Sequence, residues 1–175
     1  MPSVDQKWAH STVSKKLLDD ALQDISITAI EVDIVMGYKT REKDCFDKKK
    51  TMEVITAHPP YQQSDQTIED FLIKTSSSSS NEKNRVLRKH IKLDFKELAT
   101  IQPTMDIIDK IGICSVGNDM KVFLNADVLP GPAKRFIEPT IDGDDFLTTC
   151  LNNRNYEVRA TMILIHCFNW QSFVF

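Results

Sequence analysis

The chain has 175 residues, of which 41% are hydrophobic and 27% charged, and its net charge is -3 at pH 7. These values are typical of one soluble globular domain with a sizeable core. The slightly negative charge argues against broad electrostatic binding to nucleic acid or to acidic membranes.

The two ends of the chain carry no recognisable export or membrane signal. Residues 1–10 are polar and lack the apolar segment of a signal peptide. Residues 160–175 are apolar but too short and too interrupted to span a bilayer. We therefore expect a soluble, cytoplasmic chain. Its four cysteines are scattered without zinc-ligand spacing and are predicted to be free thiols: Cys45, Cys114, Cys150 and Cys167.

Hydrophobic spacing predicts helices and strands in alternation along the chain. Strands are predicted at 25–35, 52–57, 90–95 and 121–128, and helices at 14–23, 67–74, 103–111 and 144–151. The polar residues 37–50 and the serine-rich residues 76–80 are predicted loops. This alternation favours βαβ units and a mostly parallel sheet.

Polar residues recur at every second position in three of the predicted strands. Lys92, Asp94 and Lys96 must share one face of their strand, because side chains alternate with a period of two. The pairs Glu31 with Asp33 and Asn125 with Asp127 repeat the pattern, and His58 follows another strand. Ligands of parallel α/β folds lie beyond the carboxyl ends of the strands, so these groups are expected to converge on one mouth.

The acidic members of this set predict a divalent cation. Glu31, Asp33 and Asp94 are hard oxygen donors, which suit Mg²⁺ or Ca²⁺ better than zinc. A cation held there would neutralise and polarise a phosphate. The alternative is that Lys92 or Lys96 pairs with the carboxylates in a purely structural ion-pair network.

The remaining polar residues have two interpretations each. His10 and His58 could act as general acid and base, or could be surface residues. Lys96 could stabilise developing negative charge. Asn125 and Asp127 could contact substrate, or could hydrogen-bond to the loop that contains Pro130-Gly131-Pro132.

Six segments, in this order and spacing, resemble the menorin family over about Trp8 to Leu151. The most distinctive are Lys92-Leu93-Asp94-Phe95-Lys96 and Asn125-Ala126-Asp127-Val128-Leu129-Pro130-Gly131-Pro132. The others are Trp8-Ala9-His10, Glu31-Val32-Asp33, Ala57-His58-Pro59-Pro60 and Ser64-Asp65-Gln66-Thr67. The start of the chain resembles the soluble branch of the family, and some family members are extracellular.

The resemblance implies a relation to the phospholipase-C-like phosphodiesterases, which are TIM barrels. By resemblance to the glycerophosphodiester phosphodiesterases, His10 and His58 take the acid and base places, and Glu31, Asp33 and Asp94 take the metal places. Lys96 matches a lysine that lies two residues after an acidic metal residue in those relatives. Lys92, Asn125 and Asp127 are the expected substrate contacts. This chain departs from those relatives in having Ser11-Thr12 after the first histidine, where they have Arg-Gly, and Pro59 after His58, where they have Asp.

The length of the chain sets the expected architecture. A complete eight-stranded barrel usually needs about 250 residues. We therefore expect an incomplete phospholipase-C-like TIM barrel in residues 1–151, with about five parallel strands and the helices outside. Residues 152–175 are interpreted as a divergent tail that ends a shortened isoform or gene model.

Three functions are compatible with these features. The first is metal-dependent hydrolysis of a phosphodiester or another small anionic ligand. The second is a non-enzymatic protein of the neuronal or developmental type that binds a ligand or a protein partner. The third is an inactive, truncated isoform. Nucleic acid is not an expected partner.

Overall fold

A computed structural model describes residues 6–40, 51–77, 88–113, 120–128 and 139–152. Within these ranges the chain forms strands and helices in alternation, as the hydrophobic spacing predicts. The strands are β1 (Trp8–Ala9), β2 (Ala29–Lys39), β3 (Glu53–Thr56), β4 (Gln63–Ser64), β5 (His90–Phe95) and β6 (Val122–Ala126). The helices are α1 (Lys15–Gln23), α2 (Ile68–Ser77), α3 (Ile101–Ile111) and α4 (Gly143–Leu151), and a 3₁₀ turn at Leu98–Thr100 leads into α3.

The strands form one six-stranded sheet in which β1, β2, β5 and β6 are neighbours in that order. All three pairings along this path are parallel. The last residues of β2 extend beyond it and pair with β4 in parallel and with β3 in antiparallel orientation. The expected α/β class with a parallel sheet is confirmed. Within the described residues the sheet is open, with β1 and β6 at the ends of the path.

One face of the sheet carries the hydrophobic core. Alternate residues of β2, β5 and β6 lie opposite one another in three apolar rows, namely Ile30, Ile91 and Val122; Val32, Leu93 and Leu124; and Ile34, Phe95 and Ala126. The helices cover this face with side chains that include Leu18, Phe71, Leu72, Met105, Ile108 and Phe146. Burying each large side chain contributes about 1.5–3 kcal/mol. The apolar residues therefore hold this face of the sheet against the helices, and the polar residues lie on the opposite face.

Three helices begin at side chains that accept hydrogen bonds from their first turns. Ser14 accepts from Leu17 N at the start of α1, and Asp142 accepts from Asp144 N and Asp145 N at the start of α4. Thr67 and Asp70 form a reciprocal pair before α2, in which each side chain accepts from the backbone N–H of the other.

Several boundaries differ from those predicted. The strand predicted at 25–35 runs from Ala29 to Lys39, because Ile25 is 97% exposed and the residues after Val35 pair with β3 and β4. Gly37–Lys39 are therefore strand residues and not loop residues. The strand predicted at 52–57 is antiparallel to β2, so its expected parallel orientation was wrong. The Pro130-Gly131-Pro132 segment, residues 78–80 of the serine run and residues 153–175 lie outside the described residues.

No helix within the described ranges is long and apolar enough to cross a membrane.

Gly37 in β2 lies too close to neighbouring atoms to be replaced by a residue with a Cβ atom. A Cβ atom there would lie 2.4 Å from Ile55 Cδ1 and 2.6 Å from the backbone oxygen of Gln62. Gly37→Ala should therefore lower the free energy of unfolding by about 1–3 kcal/mol, as overpacking does elsewhere. Gly143→Ala is the matched control, because a Cβ atom there meets only Val128 at 3.7 Å. Urea unfolding of both variants measures the difference, and equal effects would contradict this packing.

His90 should make the stability of the fold depend on pH. Its Nδ1 accepts a hydrogen bond from Lys121 N, and burial, followed by the charge of Lys121, lowers the pKa of His90 below 6.5. The unfolded chain therefore binds more protons just below pH 6.5, so this contribution to stability grows as the pH rises through that window. Urea unfolding at several pH values should show that His90→Gln loses more stability at pH 7.5 than at pH 5. A loss that is the same at both values would contradict this assignment.

Candidate functional site

The second face of the sheet carries the polar residues in rows. The register of the parallel strands places Glu31 opposite Lys92 and Lys92 opposite Phe123. Two residues further along the strands, Asp33 lies opposite Asp94, and Asp94 lies opposite Asn125. The side chains of these rows share one face because they are two residues apart in each strand. The expected convergence on one surface therefore follows from the register.

Three carboxylates meet at the centre of this face. Glu31, Asp33 and Asp94 each offer an oxygen, and these oxygens all lie within 4.8 Å of one another. All three residues are buried, with exposed fractions of 2%, 1% and 7%. Such a grouping is costly unless each carboxylate is hydrogen-bonded and its charge is balanced.

Each carboxylate has one oxygen held by an uncharged donor. Ser11 donates its backbone N–H to Glu31 Oε2 at 2.7 Å and its hydroxyl to Asp33 Oδ2 at 3.0 Å. Asn125 donates its side-chain amide to Asp94 Oδ1 at 3.0 Å. These bonds fix the orientation of all three carboxylate groups.

The other oxygen of each carboxylate faces a lysine. Lys96 Nζ lies 3.2 Å from Asp33 Oδ1 and 3.0 Å from Asp94 Oδ2, and Lys92 Nζ lies 3.8 Å from Glu31 Oε1. Two ammonium groups therefore face the three buried carboxylates. Asp127 adds a further carboxylate at the exposed rim, 3.8 Å from Lys96 Nζ.

Burial and the neighbouring charges shift the pKa values of two groups in the cluster, Glu31 and Lys96. Burial raises the pKa of Glu31 above its ordinary value, with a further contribution from Asp33, while the N–H of Ser11 acts in the opposite direction. Burial alone would lower the pKa of Lys96, but the carboxylates of Asp94 and Asp33 outweigh burial and hold that pKa above its ordinary value. Lys96 is therefore an ammonium ion throughout the physiological pH range.

Ser11 is the residue of this site that the sequence did not reveal. Its φ angle of 54° lies in the left-handed region, which is uncommon for serine. The turn is held by Thr12, which donates both its N–H and its hydroxyl to the backbone oxygen of Glu31. No sequence pattern marks a serine for this conformation, since glycine or asparagine is the usual choice there.

The two histidines differ in their contacts with the carboxylates. His10 Nε2 is 3.4 Å from Glu31 Oε2, and its side chain is 68% exposed. His58 is exposed, and its Nδ1 lies 2.7 Å from the carbonyl oxygen of Pro59. Ala57, the preceding residue, donates its N–H to the backbone oxygen of Asp33.

Aromatic rings border the polar rows at the N-terminal ends of the strands. Trp8 and Phe123 have ring centroids 6.0 Å apart, and His90 meets Phe123 edge-on at 6.3 Å. Trp8 and His90 both lie opposite Ala29 in the register.

The donor set fits a hard divalent cation. Carboxylate oxygens are the ligands that Mg²⁺ and Ca²⁺ prefer, and the three carboxylates outnumber the two lysines that face them. The arrangement combines these oxygens with ammonium groups and a neighbouring imidazole on one surface. It is chemically suited to bind an anion beside a cation.

Loss of the Lys96 ammonium should destabilise the fold strongly. Its side chain is only 14% exposed, and removing one partner from a buried ion pair costs about 3–5 kcal/mol. Lys110→Met is the matched control, because the Lys110–Glu69 pair is exposed at 73% and 42% and such pairs contribute about 0–1 kcal/mol. Urea unfolding of Lys96→Met and Lys110→Met measures both. A small, equal loss in the two variants would contradict a buried network.

The comparisons with known proteins identify the family of the chain. The family model described as the Menorin N-terminal domain matches residues 3–160. The chain is 31% identical over 147 residues to Protein FAM151B of Homo sapiens, an alignment that covers 83% of this chain and 44% of that relative. The chain thus spans less than half the length of that curated relative. Both comparisons show that this chain belongs to the menorin family.

Proposed function

We propose that the chain holds a divalent cation, Mg²⁺ or Ca²⁺, on Glu31, Asp33 and Asp94 and uses it to bind and hydrolyse a phosphodiester. The observation that carries this proposal is the buried triad itself, whose oxygens lie within 4.8 Å of one another. Burying three carboxylates together is unfavourable, and only two lysines face them. A divalent cation would supply the missing positive charge.

We propose that the sheet is part of a phospholipase-C-like TIM barrel. Parallel strands with helices on one face and rows of charged residues on the other support this proposal. In that fold the inward-facing residues are arranged in layers and the active site lies at the carboxyl ends of the strands. The rows at Glu31 and Asp33 would be two such layers.

The residues would divide the chemistry as follows. The bound cation would neutralise the phosphate charge and polarise its oxygens. Lys96 and Lys92 would donate to the anion, and Asn125 would keep Asp94 oriented through its bond to Oδ1. His10 is exposed beside Glu31, where it could transfer a proton to or from the reacting groups, and His58 would be its counterpart. Asp127 would contact the substrate or Lys96 at the rim.

A second function, binding of a small anion without turnover, is favoured by one observation. The His58 side chain is exposed, and its Nδ1 lies 2.7 Å from the carbonyl oxygen of Pro59 and not against a carboxylate of the triad. A site that keeps its lysines and carboxylates but places only one imidazole beside them would bind an anionic ligand or an anionic segment of a protein partner without cleaving it.

Cation binding should stabilise the fold and depend on the triad. At one hundred times its dissociation constant, Mg²⁺ or Ca²⁺ should add about 2.7 kcal/mol to the free energy of unfolding. Asp94→Asn should lose this gain, because it removes a central ligand while keeping the side-chain shape. Asp109→Asn, on the exposed face of α3, is the control and should retain it. Thermal melts with millimolar cation measure the effect, and equal shifts in all three proteins would refute the site.

Hydrolysis should depend on the imidazole beside Glu31. Cleavage of bis(p-nitrophenyl) phosphate with saturating cation should fall by about 10²–10⁴-fold in His10→Gln, since general acid–base catalysis contributes that much. The cation-induced melting shift should persist in this variant. If the cation binds but the parent chain shows no cleavage of this or a glycerophosphodiester substrate, the binding function is the correct one.

A further inference from the structure

The ammonium group of Lys96 lies between Asp33 and Asp94, in the position that a divalent cation would occupy. Its Nζ bridges Asp33 Oδ1 at 3.2 Å and Asp94 Oδ2 at 3.0 Å. The opposite oxygens of the same carboxylates are bound by Ser11 Oγ and by Asn125 Nδ2. The oxygens that face Lys96 are therefore the ones left for any other ligand.

A divalent cation and the Lys96 ammonium compete for these oxygens. Mg²⁺ binds oxygen at about 2.0–2.1 Å and Ca²⁺ at about 2.3–2.6 Å, closer than the lysine nitrogen lies to either oxygen. Two positive groups that share the same pair of oxygens would lie only a few ångströms apart. Their repulsion is strong because little water reaches this place to screen it. Simultaneous occupation is therefore unfavourable.

We propose that Lys96 is the built-in counter-ion of the site, which a divalent cation displaces and whose released ammonium then binds the phosphate anion. This inference rests on the cation site of the proposed function and adds an order of events to it. Without a cation the ammonium balances Asp33 and Asp94; with a cation it becomes available to the anion.

The surroundings of Lys96 provide a place for the released ammonium. Asp127 lies at the rim with 58% of its side chain exposed, and its Oδ2 is already 3.8 Å from Lys96 Nζ. A small rotation of the lysine chain towards Asp127 moves the charge away from the triad and towards the open side. Lys92, in contrast, lies 3.8 Å from Glu31 Oε1 and does not bridge the two aspartates, which makes it a matched control.

The test measures two affinities in the full chain by calorimetry, those of Mg²⁺ and of dimethyl phosphate. Lys96→Met should bind Mg²⁺ at least about tenfold more tightly than the parent, a coupling typical of directly interacting ligands, and Lys92→Met should change less. With saturating Mg²⁺, Lys96→Met should bind dimethyl phosphate at least about tenfold more weakly. Lys96→Gln, which keeps an amide donor to Asp94, serves if Lys96→Met does not fold and should shift both affinities in the same directions.

The outcomes separate this inference from the proposed function. Equal or weaker Mg²⁺ binding in both Lys96 variants, with clear binding in the parent, overturns the competition and leaves the cation site standing. Tighter Mg²⁺ binding with unchanged dimethyl phosphate binding overturns the anion role of Lys96. Absence of Mg²⁺ binding in the parent and in both variants overturns the inference and the cation site together.

Discussion

The polar face of this protein depends on the burial of three carboxylates within reach of one another. Buried like charges repel, so every neighbouring group must offset them. Ser11 and Asn125 supply uncharged donors to one oxygen of each group, and the two lysines supply positive charge to the other. Three carboxylates therefore face two ammonium groups, and this excess of carboxylates is what the proposed cation would offset.

The parallel register makes this arrangement possible. Each step of two residues along β2, β5 and β6 sends one row to the helices and the next row to the polar face. The apolar rows fix the sheet against the helices, and a slip of one residue would exchange the two faces. The stability of the core therefore determines the geometry of the site, and the same register that buries Val32 aligns Asp33 with Asp94.

Sequence reasoning recovered the features that follow from periodicity. The alternation in Ile91–Lys96 gave the strand and its charged face, and the repeated polar pairs gave the acidic cluster. The antiparallel direction of β3 could not be foreseen, because a short strand has the same pattern in either direction. Ser11 was missed because its role comes from a left-handed backbone angle, which residue type alone does not encode. The position of the His58 ring depends on a contact with Pro59 that only coordinates can show.

The most direct test of the central claim is to locate a cation on the triad. Mn²⁺ is an anomalous scatterer that accepts the same oxygen ligands as Mg²⁺. A crystal of the chain grown with Mn²⁺ should give an anomalous peak in contact with Asp33 and Asp94, with the Lys96 ammonium moved away from it. Data that show Lys96 still bridging the two aspartates, and no anomalous peak beside them at millimolar Mn²⁺, would contradict the account and leave a structural ion-pair network in its place.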